Sequence, residues 1–203
     1  SFGEFYLVKR AGIDSRDGAQ VWFDADGNLT KQFNEEANAQ FVGKNRFAPW
    51  SGGFGTQYLW NGLSISADFT WALGKYAMNN DRYFYENSEY GMSYNQSISM
   101  LDVWTTPGQI TDIPAVGETI QMDDHLLENA SFLRLKKLSI GYNLPKKWME
   151  KTRFISNVNL YVTGRNLLTL TKYSGYDPEP DSNVIQFNYP NTREFLFGAE
   201  VTF

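Results

Sequence analysis

Arg193-Glu-Phe-Leu-Phe-Gly-Ala-Glu-Val-Thr-Phe203 alternates with a period of two. Phe195, Phe197, Ala199, Val201 and Phe203 share one parity, and Glu194, Gly198, Glu200 and Thr202 share the other. Successive side chains of a strand point to opposite faces, so this spacing predicts a strand with one apolar and one largely polar face. Leu196 is the exception on the polar side. Upstream, Phe54–Trp60 and Leu63–Leu73 flank Asn61-Gly62, the strongest short-range hairpin signal, because a type I′ turn needs positive φ at both central residues. In the second arm Leu63, Ile65, Ala67, Phe69, Trp71 and Leu73 oppose Ser64, Ser66, Asp68, Thr70 and Ala72.

Further strands are expected near residues 1–9, 131–144, 157–166 and 193–203, about six spans with the hairpin included. Within 131–144 the apolar parity changes between Leu133/Leu135 and Leu138/Ile140/Tyr142. An extra residue near Lys136 and Lys137 would explain this as a bulge, and a change of burial along one regular strand explains it equally well. Val158, Leu160 and Val162 alternate with Asn157, Asn159 and Thr163, with Tyr161 out of pattern. The segment Pro145–Arg153 is read as a short helical turn begun by a proline, with Trp148 at an interface.

The links between these strands alternate in length. Segments 10–50, 74–130 and 167–192 are long, whereas 61–62 and 145–156 are short. Outer-membrane barrels alternate in this way, with short periplasmic turns and long extracellular loops. The arm Leu63–Leu73 also has about the length, roughly 9 to 11 tilted residues, that a spanning strand requires. The expected fold class is therefore all-β: antiparallel strands of a transmembrane barrel, with 167–192 outside and the other links assigned by alternation. Gly198, Val201 and Phe203 match the glycine, hydrophobic residue and final aromatic that the outer-membrane assembly machinery reads. Leu196 sits where that signal has a polar residue.

Composition sets bounds around this reading. Aromatics make up 16 % of 203 residues and hydrophobic residues 42 %, and Tyr, Phe and Trp favour strands and membrane interfaces. Mean hydropathy is −0.44, and no run approaches the roughly 18 apolar residues of a membrane helix; barrel strands average out in such a window. A net charge of −5 argues against nucleic acid as a partner, which needs concentrated basic surface. Cys is absent, so disulfides and thiolate chemistry are excluded. Ser1-Phe-Gly-Glu-Phe-Tyr6 opens into an alternating segment instead of a signal peptide, and the expectation is a processed chain or a portion of a longer one.

Two stretches resemble the C-terminal end of the SusC/RagA family of TonB-dependent outer-membrane transporters. They are Phe132–Trp148 and Val158–Glu179, supported by Phe5–Asp14, Trp22–Asn28 and Asn79–Phe84 in family order. The resemblance implies that residues 1–203 are the last portion of a barrel of about 22 strands, with the plug and earlier strands lying on the same or a separate chain. It implies import of glycans, oligosaccharides or peptides across the outer membrane of a Gram-negative bacterium, beneath a SusD-like surface lipoprotein. Energy would come from the TonB complex through an N-terminal part that nothing in this chain matches.

Chemistry-bearing residues are few. Tyr83, Tyr85, Trp104, Tyr173 and Tyr176 are the candidate ligand contacts, with Phe84 and Tyr90 beside them. Sugar rings stack on aromatic faces while their hydroxyls bond nearby polar groups; loop packing or lipoprotein contact is the other reading of each. Asp24-Ala-Asp26-Gly27-Asn28 offers alternate oxygens to calcium but lacks the further acidic positions and distal Glu of an EF-hand, so it is read as an Asp-Gly turn. His125, the one histidine, is read as a solvated loop residue, and Asp177-Pro-Glu-Pro-Asp181 as an extended acidic loop. No cofactor and no catalytic constellation are expected. The alternatives are a soluble β-sandwich carbohydrate-binding module, whose strands would also alternate, and, more weakly, a glycoside-processing enzyme.

Overall fold

In the computed structural model, which describes residues 2–91, 93, 95–150 and 154–203, Asn61 and Gly62 adopt φ of 45° and 87°. The Asn-Gly turn thus closes its hairpin with both central residues in the left-handed region. In chain order the early strands are β1 (Glu4–Val8), β2 (Arg10–Ile13), β3 (Gln20–Phe23), β4 (Leu29–Thr30), β5 (Ala39–Asn45), β6 (Trp50–Trp60) and β7 (Leu63–Leu73). They are followed by β8 (Tyr76–Asn79), β9 (Leu127–Asn129), β10 (Phe132–Asn143), β11 (Asn157–Thr171), β12 (Val184–Ile185) and β13 (Glu194–Thr202). Short helices α1 (Glu35–Asn38), α2 (Asp81–Tyr85) and α3 (Lys146–Met149) lie between them. The chain divides into two compact units, one of Ser1–Ala48, Gly74–Ala130 and Tyr173–Asn188, the other of Pro49–Leu73, Ser131–Lys172 and Tyr189–Phe203.

The second of these is a five-stranded antiparallel sheet in the order β13-β11-β10-β7-β6. Its register carries one apolar row through every strand. Phe54, Phe69, Leu135 and Leu168 are successive cross-strand neighbours, as are Tyr58, Ile65, Ile140, Val162 and Phe197. Directly paired residues share a face, so the whole apolar set lies on one side of the sheet. Phe54 and Phe69 stack there with ring centroids 4.8 Å apart. Phe197 is 81 % and Trp50 70 % exposed, whereas a sandwich would bury this face against a second sheet. The opposite face is polar, with Ser139 bonded to Thr163 at 2.8 Å and Arg134 to Thr169 at 2.9 Å.

The parity change in β10 is a bulge. Between Leu135 and Lys137 the β7 partners advance only from Phe69 to Asp68, so Lys136 is the extra residue of the bulge. The β11 partners advance from Leu168 to Arg165 over the same step, past Asn166 at φ 52°. The extra residue returns Leu138, Ile140 and Tyr142 to the face of Leu133 and Leu135.

Two expectations on the spans are corrected. Residues 1–9 do not cross: β1 has five residues and pairs with β5 in the other unit, well short of the roughly 9 to 11 a crossing takes. The sheet therefore has five spans, not six, among the described residues. β11 continues to Thr171, so the third long link begins at 172 and not 167. The short links leave the sheet beside Trp60 and Asn143, and the long ones beside Leu73, Thr171 and Glu194. The proline-led turn is α3, and residues 151–153 of that segment lie outside the described residues.

The other unit contains the two-stranded sheet β1-β5 and two three-stranded sheets, β2-β3-β4 and β12-β8-β9. Ala77, Ala130, Tyr173 and Ile185 form its buried apolar cluster.

Deleting Lys136 should abolish assembly of the intact barrel, measured as loss of the heat-resistant folded band, whereas Lys136→Ala should assemble normally. The deletion turns one arm of β10 over. Arg134 would then face lipid, which disfavours a charged side chain.

Candidate functional site

Asn79-Asn-Asp-Arg-Tyr-Phe-Tyr-Glu86 runs from the end of β8 into α2. Arg82 and Glu86 are four residues apart, so they meet on one helical face, at 3.0 Å. Arg82 also reaches Glu128 at 3.2 Å and donates to the His125 carbonyl at 3.0 Å. Glu128 in turn accepts from the Ser174 amide and hydroxyl, both at 2.7 Å, and from Asn79 Nδ2 at 3.2 Å. Burial opposes the charge on Arg82, but the two carboxylates outweigh it and its pKa is raised. Segments 43 to 49 residues apart are thus joined by charge-assisted bonds, each roughly twice as strong as a neutral one.

Beside this network is a cavity of about 350 Å³, lined by Asn79, Asp81, Tyr85, Glu86, Tyr176 and neighbours. Asp81 is 2 % exposed and accepts from the Phe187 amide at 2.8 Å. The Tyr85 phenol is pushed well above its ordinary pKa by burial, by the Asp81 charge and by its hydrogen bond to Tyr176. Tyr176 is two-thirds exposed and forms the rim. Asn79 is buried, and its Oδ1 has no hydrogen-bond partner among the described residues.

The structure brings together Tyr85 and Tyr176 of the aromatic candidates. Tyr83 instead joins Phe84 and Tyr90 in an aromatic cluster, with centroids 5.3 and 6.0 Å away. Trp104 packs its ring onto Gly18 and donates to the Ser15 carbonyl at 3.2 Å. Tyr173 is 5 % exposed and belongs to the core cluster, not to an exposed binding surface. Asp24 turns its Oδ1 onto the amides of Asp26 and Asn28, at 3.0 and 2.7 Å, in the turn between β3 and β4. Those amide bonds, Asn28's first, lower its pKa.

Val201 lies on the apolar face of the sheet through its pairing with Val158. Gly198 lies under the ring of Tyr161: a Cβ there would come within 2.3 Å of it. Phe203 follows the last residue of β13 and is exposed.

His125 is not solvated. Its Nδ1 is paired with Asp123, whose other oxygen accepts from Trp22 Nε1 at 2.6 Å. Lys75 was also not foreseen. It is buried and donates to the carbonyls of Pro178, Glu179 and Pro180 at 2.9, 3.1 and 2.6 Å, which fixes the acidic proline loop. Arg82 and Glu86 had a local signal in their spacing; Glu128 and Ser174 had none.

No family model matches the chain. TonB-dependent receptor P3 of Formosa agariphila is 31 % identical over 94 % of this chain and 19 % of its own length. TonB-dependent receptor SusC of Bacteroides thetaiotaomicron is 28 % identical over 67 % of this chain and 14 % of its own length. Among solved structures, the RagAB peptide importer in an open-open state superposes with a TM-score of 0.91 at 40 % identity, covering 98 % of this chain and 22 % of that one. The chain thus spans about a fifth of the length of the first of these relatives and of the solved structure.

Asp123 is a buried carboxylate whose titration bears on stability. Burial opposes its charge, but the His125, Trp22 and amide bonds prevail and its pKa is lowered. The stabilisation is present above the unfolded carboxyl value of about 4 and is lost as pH falls through the lowered native value. Asp123→Asn should therefore cost about 1.5–3 kcal/mol, read as faster proteolysis around residues 120–126 at neutral pH, with the difference from wild type shrinking in acid.

Proposed function

The chain corresponds to the C-terminal portion of a SusC/RagA-like TonB-dependent receptor, and on that premise we propose that it forms barrel wall and extracellular loops of an outer-membrane importer in a Gram-negative bacterium. Its cargo is a glycan, oligosaccharide or peptide. Plug and remaining strands complete the barrel, a TonB complex supplies energy through the N-terminal part, and a SusD-like lipoprotein docks on the extracellular side. The chain itself makes and breaks no bond. The observation that carries this reading is the unbroken apolar row across β6, β7, β10, β11 and β13, backed by a polar face and joined by links that are long at one end of the sheet and short at the other. Such a sheet belongs in lipid on one side and water on the other. The five strands leave β6 and β13 as free edges, so backbone groups there are completed by neighbouring strands of the barrel.

Of the aromatic candidates, Tyr85 and Tyr176 are assigned to cargo contact, because they share a cavity with polar anchors. Gly198, Val201 and Phe203 are assigned to recognition by the assembly machinery. Phe203 lies beyond the β13 ladder, so its loss removes no ladder bond, and an assembly defect would report recognition and not stability.

Cells carrying the intact receptor should deplete a peptide digest or an oligosaccharide mixture from the medium, followed by mass spectrometry, and cells lacking it should not. Tyr85→Ala combined with Tyr176→Ala should slow this roughly tenfold, from about 0.5–1.5 kcal/mol per ring. Receptor-independent uptake of both mixtures would defeat the reading. Removal of Phe203 should lower the amount of assembled receptor several-fold without changing the heat stability of what assembles.

A further inference from the structure

We propose that the cavity between α2 and the Ser174–Tyr176 segment binds a primary ammonium group, carried by the ligand as a lysine side chain, a peptide N-terminus or an amino sugar. The argument begins with charge. Asp81 and Glu86 are buried in the cavity wall, and Glu128 lies behind it. Arg82 is shared between Glu86 and Glu128. Arg10 lies within electrostatic reach of Glu86, but its own charge is opposed by burial and held also by Asp123 and Asp112. Carboxylates therefore outnumber guanidinium groups around the cavity, and a buried excess of negative charge is costly until a cation joins it.

The second observation is independent of charge. Asn79 is 2 % exposed, lines the cavity and leaves Oδ1 without a partner among the described residues. Its amide orientation is set by its own bonds, since Nδ2 donates to Glu128 and to Ser174 Oγ at 2.9 Å. A buried acceptor left without a hydrogen bond is costly, and its complement is a donor.

A metal ion does not suit the site. Among the described residues no three carboxylates or imidazoles are grouped as such an ion requires. An ammonium supplies three donors and a positive charge, and Tyr85 and Tyr176 offer it aromatic faces. A neutral hydroxyl would satisfy Asn79 and leave the charge excess in place.

The inference rests on the import reading only for the statement that the ligand is cargo; its test is binding, not transport. Intact receptor in detergent would be titrated by calorimetry with Ala-Lys-Ala and with its norleucine counterpart, and with glucosamine trisaccharide and its N-acetylated form. Each charged probe is expected to bind roughly tenfold or more tightly than its neutral partner. Preference in one pair alone identifies the source of the ammonium. Glu86→Gln and Asp81→Asn, the latter keeping an acceptor for the Phe187 amide, should each remove most of the difference between the charged and neutral probes. The wild-type comparison decides the matter even if a variant fails to fold. Equal affinity within both pairs, with uptake of cargo intact, would overturn the ammonium site and leave the import reading standing.

Discussion

The register of β10 against β7 shifts between Leu135 and Lys137, and the membrane-facing sheet depends on the extra residue inserted there. Side chains of a strand alternate with a period of two, so a slip of one residue moves every apolar side chain to the other face. Without the extra residue, Leu133 and Leu135 could share a face with β7's apolar row, or Leu138, Ile140 and Tyr142 could, but not all five. In water such a fault costs a few contacts. In lipid it places Arg134 or a row of hydroxyls where nothing can satisfy them. The bulge also locates the polar lining, since Arg134, Ser139 and Thr163 then find partners on the same side.

Glycines do corresponding work where the sheet must accept large rings. Tyr161 breaks the apolar alternation of β11, and its ring lies over its cross-strand partner Gly198 on the polar face. Any larger residue at 198 displaces that ring. The glycine has a packing reason to be there, whatever reads it during assembly.

The long links face a different problem. Ordering some tens of residues without a large apolar core carries a heavy entropic cost, roughly 1–2 kcal/mol per residue for the backbone. The links meet it with concentrated polar bonding. Lys75 ties three carbonyls of the acidic proline loop, Glu128 gathers Asn79, Arg82 and Ser174, and Asp123 holds Trp22 and His125. All but the Asp123–His125 pair join segments distant in sequence. The cavity beside α2 is a product of that bonding: its walls come from residues 79–97 and 174–176.

Alternation in 193–203 and the Asn61-Gly62 turn marked the strands, because period and turn chemistry are local properties, and the terminal Phe203, the lengths of the links and the family resemblance favoured a barrel wall over a sandwich. Two placements on the sheet were open. Residues 1–9 alternate like a span but pair as β1 with β5, since alternation does not say which strand is the partner or whether a short strand is completed elsewhere. The parity change near Lys136 had two explanations, and only the register of β7 against β10 decides for the bulge. In the links local pattern fails further. Tyr173 and Tyr176 look alike in sequence, yet one is core and the other rim. His125 reads as solvated but is held by a buried carboxylate, and Asn79 gives no sign of an orphan acceptor. The sequence by itself determined the long strands of the five-stranded sheet, their two-faced character and their hairpin; the tertiary structure alone decided the short strands and which side chains meet in the links, because those contacts depend on bonds between residues up to about a hundred positions apart that no local period encodes.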